Sequence, residues 1–289
     1  MGFFGLNIGM APSLPRSILI SGLNSSRLVR LLADLTADVA AVAATSKQSF
    51  AEKLGLWLDW PDAISLASAL NSESSASLLV GRAGGYSGAQ STVQSAARSA
   101  NDGVLLDYVR VRTELVDAML SDPVLTTDPQ VTKRSTPAPV VLKRSAPEHA
   151  PEFSTYRRVH LQHQRAMVAA LGPLRSQVRV GLSRVSPALG RLAALDTVLD
   201  EALGARERHL FAKVPVVLEK HFDRLRKAHQ AGLAQAAGGR LPDGSAPVAA
   251  WLADYCKAMQ AVMLAELELR LQPIEGMLEA MGYELTGGS

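Results

Sequence analysis

Six of the fifteen prolines fall between Pro123 and Pro151, among Thr, Ser and the paired cations Lys133-Arg134 and Lys143-Arg144. Each proline removes a backbone donor and fixes φ, so neither a helix nor a central strand survives such spacing. Too few apolar side chains remain to offset the entropy of ordering the backbone. Residues 122–152 are therefore expected to be a disordered, semi-extended linker, with an ordered binding loop as the alternative. Residues 14–121 and 153–289 become two helical modules, and residues 1–13 a mobile N-terminal tail.

Both flanks repeat their apolar residues at helical intervals. Leu28, Leu31, Leu32, Leu35, Val39 and Val42 share one face, the three- and four-residue rhythm of an amphipathic helix. Ser49-Phe50-Ala51-Glu52 has the form of a capping box. Trp60-Pro61-Asp62 reads as a helix restart, because proline in the first turn loses no bond and Asp62 suits the positive end. Ala63, Leu66, Ala67 and Leu70 are expected to be its buried face. Residues 71–103 are poor in large apolar side chains and predict a loop with at most one weak helix. A stronger helix is expected from Asp102 to Leu120, with Leu105, Tyr108, Val109, Leu115, Val116 and Met119 as its stripe.

Beyond the linker the pattern is helical from Glu152 to Ala237. Breaks are expected at Gly172-Pro173, at Ser186-Pro187, where Ser186 suits an N-cap, and at Val214-Pro215. Leu192, Leu195, Leu199, Leu203 and Leu210 form one stripe; Val217, Leu218, Phe222 and Leu225 extend it. Gly238–Gly244 is a turn signal. Pro247 opens a last long helix along Trp251, Tyr255, Met259, Val262, Leu267 and Leu271, with a kink or restart at Pro273. No sustained alternation of β-branched residues occurs, so the fold class is all-α. The stripes are too wide for a coiled-coil seam and predict helix bundles.

One cysteine in 289 residues excludes a disulfide framework and a Cys-rich zinc site. No run approaches the roughly 18–20 apolar residues of a membrane span. The first residues lack a basic n-region and a long apolar run, so no signal peptide is expected. Leu6 stands where a myristoylation signal wants Ser or Thr. A reducing, cytoplasmic setting is the expectation. Met10 is a second candidate start residue.

The net charge of +3 conceals an asymmetry. Residues 153–230 hold 14 Lys and Arg against 6 Asp and Glu, and residues 231–289 hold 3 against 7. One explanation is internal pairing, with Glu266, Glu268, Glu275 and Glu279 of the last helix folded onto the basic helices. The other is an anionic partner met by Arg157, Arg158, Arg165, Arg175, Arg179 and Arg184. Only Tyr156 offers an aromatic platform among them, which counts against single-strand binding.

Catalytic signals are weak. His160 and His163 share a helix face without a further ligand at metal spacing, so solvated histidines are expected and no metal. Gly81–Gly88 resembles a phosphate loop, but Ala89-Gln90 follows where Lys-Ser or Lys-Thr is needed. Ser87 lacks the second glycine of a G-x-S-x-G nucleophile elbow, where Ala89 stands. Cys256 sits in an apolar stripe and reads as inert. Trp57, Trp60 and Trp251 read as core. No cofactor is implied.

Several segments resemble a known family. They are Ser26–Leu35, Gln48–Leu54, Trp57-Leu58-Asp59-Trp60 and Asp62–Leu66. In the second half Ser186-Pro187-Ala188-Leu189, Leu203–Arg208, His221-Phe222 and Ala261–Leu267 follow. Together they resemble the uncharacterised proteobacterial domain-of-unknown-function family 3348 over most of the chain outside the linker. The resemblance carries no catalytic residue and no cofactor. It implies a bacterial cytoplasmic protein, with gene neighbours encoding TolQ/MotA-like and OmpA/MotB-like envelope proteins. The expected function is a non-enzymatic interaction or adaptor protein, accessory to an envelope complex, with a protein partner. The alternative is sequence-independent nucleic-acid binding through residues 153–230.

Overall fold

The computed structural model describes residues 26–36, 50–71, 89–126, 152–236, 246–283 and 285. Every regular element among them is a helix: α1 (Arg27–Thr36), α2 (Phe50–Trp57), α3 (Trp60–Asn71), α4 (Ala89–Leu120), α5 (Phe153–Val185), α6 (Pro187–Phe211), α7 (Val214–Ala236) and α8 (Ala246–Ala280). The protein is all-α.

The helix α8 is the axis of the molecule and touches α1, α4, α5, α6 and α7. The stripe from Tyr255 to Leu271 is buried as expected, and Cys256, Met263, Ala265, Glu266, Ile274, Met277 and Leu278 are buried as well. A helix apolar over most of its circumference has neighbours around most of it, with Asp254, Lys257, Gln272 and Gly276 left on an exposed strip. Pro273 lies within α8 without ending it. The end comes at Gly282, with φ of 93°, a left-handed conformation that only glycine adopts freely. There the Tyr283 amide donates to the Leu278 carbonyl and the Gly282 amide to Glu279, which satisfies two of the last carbonyls.

Aromatic rings fill one end of the core. Phe222 lies 5.0 Å from Tyr255, 5.3 Å from Trp251 and 5.7 Å from Tyr156, ring centre to ring centre. Edge and tilted packing of this kind joins α5, α7 and α8. Tyr108, Leu115 and Met119 of α4 and Leu28 of α1 enter the same hydrophobic cluster. Helices from both sides of the proline-rich segment thus share one core. The segment's first residues join that core too: Asp122–Thr126 form a turn after α4, with Leu125 buried and the Val124 amide donating to Asp122. Residues 127–151 and 1–25 lie outside the described residues.

The corner between α5 and α6 forms as expected. Ser186 Oγ accepts from the Leu189 amide at 3.2 Å, and Pro187 takes the first helical position. The break at Val214-Pro215 also occurs, with Ala212 and Lys213 as a turn. Gly172-Pro173 does not break α5. Proline removes the donor to the Ala169 carbonyl, and Ala169, Gly172 and Pro173 all lie on the exposed face of the helix.

Other expectations need correction. The helix α4 starts at Ala89, not Asp102, because the Ala- and Ser-rich stretch before Asp102 contains no breaker and Gly103 costs only about 1 kcal/mol. Asp102 instead accepts a bond from the Tyr283 hydroxyl. Along α4, Val109 is half exposed. The helix α3 buries no residue: Ile64 and Leu70 are more than half exposed, and Trp60 stands in solvent. Its contact with α6 is supplemented by the Arg206 guanidinium 4.8 Å over the Trp57 ring. In α6 only Ala193 and Phe211 are buried, and the leucine stripe is half covered. Ser49, Val39, Val42, Gly81–Gly88 and Gly238–Gly244 lie outside the described residues.

Candidate functional site

The six arginines marked out on α5 divide by position. Arg175 and Arg179 point at α6, which runs back beside α5 after the Ser186 corner. Arg175 binds Asp196 through Nε at 2.9 Å and Nη2 at 2.6 Å, and Asp200 through Nη1 at 2.8 Å. Arg179 donates to Asp196 and Asp200 at 2.7 Å each. Two guanidinium groups and two carboxylates thus close a network that is largely sheltered from water. Burial lowers the Arg179 pKa, but the hydrogen bonds and charges of Asp200 and Asp196 outweigh it and raise the net value. Fork-shaped donors matched to carboxylates make strong, oriented pairs.

Arg157, Arg158, Arg165 and Arg184 are exposed. Among the described residues no hydrogen bond or ion pair holds them. Arg184 lies near the α6 corner, apart from the others. Arg157 and Arg165 line a groove of ≈ 560 Å³ between α5 and the α6–α7 turn. Leu161, Val168, Phe211, Pro215 and Val216 form its apolar wall, and Arg208, Arg270 and Glu219 complete the lining. A second hollow of ≈ 430 Å³ continues it past Arg158 toward Phe153, and a third of ≈ 490 Å³ continues it past Arg208 and Arg270 toward Gly172.

Beneath the groove lies a buried polar network. Glu266 is fully buried. Gln164 Nε2 donates to its two oxygens at 2.9 and 3.0 Å and to the Phe211 carbonyl at 3.2 Å. Arg270 donates to Glu266 at 2.8 Å, reaches Glu207 at 3.4 Å, and lays its guanidinium 3.8 Å over the Phe211 ring. His160 Nε2 lies 3.4 Å from Glu266 Oε2 without hydrogen-bonding alignment. Burial pushes the Glu266 carboxyl up, yet His160, Gln164 and Arg270 together outweigh it and hold the group below the usual carboxylate value. Through Gln164 and Arg270 the network touches Phe211, where the turn that forms the groove's wall begins.

The acids of the last helix are therefore not the partners of the α5 arginines. Glu268 pairs with Arg27 at 2.6 Å, and Glu275 accepts from the Tyr108 hydroxyl at 2.7 Å. His160 and His163 are not solvated as expected, whereas His209 is exposed. His160, His163 and His221 are buried, because their rings complete the α5 and α7 faces that meet α8 and the end of α4. His163 Nε2 is 3.0 Å from Asp122. His221 stacks on Tyr255, and Arg224 lies at its Nδ1 while donating to the Leu35 carbonyl of α1. Burial and the Arg224 charge lower the His221 pKa. Burial pushes the Tyr156 phenol up to about 12. Cys256 is buried. Among the described residues no group of three or more His, Cys, Asp or Glu is placed to hold a metal. None of their helices is long and apolar enough to cross a membrane.

The sequence pattern did not single out Arg208, Arg270 or Gln164. One signal was present: Glu266 and Arg270 stand four residues apart in the order that favours pairing along a helix. The family model described as "Protein of unknown function (DUF3348)" matches residues 14–283. No curated protein and no solved structure matches the chain.

Proposed function

Because the chain belongs to the DUF3348 family, whose description carries no activity to transfer, we propose its role from its own geometry: a non-enzymatic helical interaction protein that holds an anionic partner protein in the α5 groove. The carrying observation is the contrast in charge satisfaction. Among the described residues Arg157 and Arg165 have no acidic partner and stand over an apolar wall, while Arg175 and Arg179 are saturated by α6. Unpaired cations around an exposed apolar surface attract a partner by charge and retain it by burial.

Affinity purification of the full chain from its native host tests this, beside a variant carrying Arg157→Glu and Arg165→Glu. Protein partners retained by the wild type and lost by the variant are expected. The envelope proteins of the TolQ/MotA and OmpA types are the first to look for. Identical partner sets for both chains, or turnover of a substrate by the pure protein, would overturn the reading.

A second reading is sequence-independent nucleic-acid binding, favoured by the exposure of Arg157, Arg158, Arg165 and Arg184. It requires duplex affinity to fall steeply between about 50 and 200 mM salt.

A further inference from the structure

We infer that the groove receives a short amphipathic protein segment whose carboxylates are gathered at one end. This rests on the interaction reading above and specifies its chemistry. Three observations carry it.

The first is length. The three adjoining hollows share Arg157 and Arg165 on one side and Val168, Arg208 and Arg270 on the other. They follow α5 from Phe153 to Arg175, which at helical rise is about 30 Å. A trough of that length suits one helix of about 20 residues or a shorter extended strand. A compact ligand would occupy only one of the hollows.

The second is charge along the trough. At the Phe153 end, Arg157, Arg158 and Arg165 share the lining with one acid, Glu219, and Glu152 stands beside it, bonded to Ser154. At the Gly172 end, Arg175 is occupied by Asp196 and Asp200, and Arg270 by Glu266 and Glu207. Glu201 also lines that end. The trough is thus strongly positive over one half and near neutral over the other. A uniform polyanion gains at the first half and meets carboxylates at the second. A segment with acids confined to one half matches both.

The third is the wall. Val168 and Val216 are each at least half exposed, beside Leu161, Phe211 and Pro215. Aliphatic or aromatic side chains repeated at helical spacing would cover this surface. A phosphodiester backbone has nothing to place there.

The test uses the full chain and a phage-displayed library of random peptides of about 20 residues, long enough to span the trough as a helix. Enriched peptides are expected to confine Asp and Glu to one half and to carry apolar residues at three- and four-residue steps across the middle, where the wall lies. Arg165→Glu and, independently, Val168→Asp should each weaken a selected peptide by about tenfold or more, with thermal melting of both variants confirming the fold. Both positions are exposed, so these changes leave the core alone. Enrichment without acidic bias overturns the inference, as does equal affinity for Arg165→Glu. Displacement of the peptide by an equimolar DNA duplex overturns it in favour of nucleic acid. Arginine-dependent protein capture from the host alongside an unbiased selection would remove this inference and leave the interaction reading standing. Loss of both would remove both.

Discussion

The two halves of α5 carry arginine at comparable density and, apart from the exposed Arg184 near the corner, use it in opposite ways. In the C-terminal half, Arg175 and Arg179 are absorbed by Asp196 and Asp200. In the N-terminal half, Arg157 and Arg165 line an open groove with only Glu219 among its lining acids. The helix is continuous through both, so its backbone does not make the difference. What differs is the element opposite. The helix α6 returns alongside the second half and brings two acids at four-residue spacing, whereas the first half faces the turn between α6 and α7. Arginine count alone therefore says little about binding. The fate of each cation depends on what the chain places across from it.

The largest effect is expected where the open half is braced from below. Glu266→Ala removes the acid shared by Gln164 and Arg270 and leaves buried donors unpaired, at a cost of about 3–5 kcal/mol. Chemical denaturation measures it. The Glu266 pKa is lower in the fold than in the open chain. Its stabilisation is thus full above the unfolded value of about 4.3 and is lost as pH falls through the folded value. The gap between wild type and variant should therefore be wide at pH 7 and close in acid. A constant gap would mean that packing, not charge, is what the substitution destroys.

A smaller loss is expected in the closed half. Asp196→Ala strips both arginines of their main acceptor, and partial access to water limits the cost to about 2 kcal/mol. Thermal unfolding at two salt concentrations measures it. The variant should also gain affinity for anions at Arg175 and Arg179. Unchanged stability and unchanged anion affinity would erase the distinction between the halves.

The smallest effect sharpens the contrast. Arg157→Ala with Arg165→Ala should alter stability by no more than about 0.5 kcal/mol, since both side chains are exposed and neither is paired among the described residues. The same denaturation experiment measures it. A loss approaching that of Asp196→Ala would assign these arginines to structure.

Much of this architecture was legible because it depends on short-range chemistry. The Ser186-Pro187 corner follows from one cap and one proline, and the α8 stripe follows from spacing. What escaped was decided at longer range. The pairing of Arg175 and Arg179 with α6 did leave a trace. Two arginines four apart precede the corner and two aspartates four apart follow it at nearly equal distance, as two antiparallel helices require. The starting point of α4 escaped because Ala- and Ser-rich sequence is compatible with both loop and helix. The exposure of α3 escaped because an apolar face does not reveal how much surface remains for it to cover. The groove's wall combines the α6–α7 turn with Arg270 of α8, more than 50 residues away in sequence, a distance over which no periodicity speaks.

The central position of α8 bears on how the protein is made. Every helix that α8 touches precedes it in the chain. About 220 residues separate the start of α1 from the start of α8, and at roughly 5–20 residues per second the ribosome needs about 10–40 s to cover them. By the end of that interval α1, α4 and α5 have left the exit tunnel with their inward faces wet, and α7 follows before α8 can. The aromatic faces of α5 and α7 and the Tyr108–Met119 face of α4 have no axis to close on. A nascent chain of this design is a natural client for chaperones that shield apolar surface. Truncation upstream of Ala246 would leave it in that state for good.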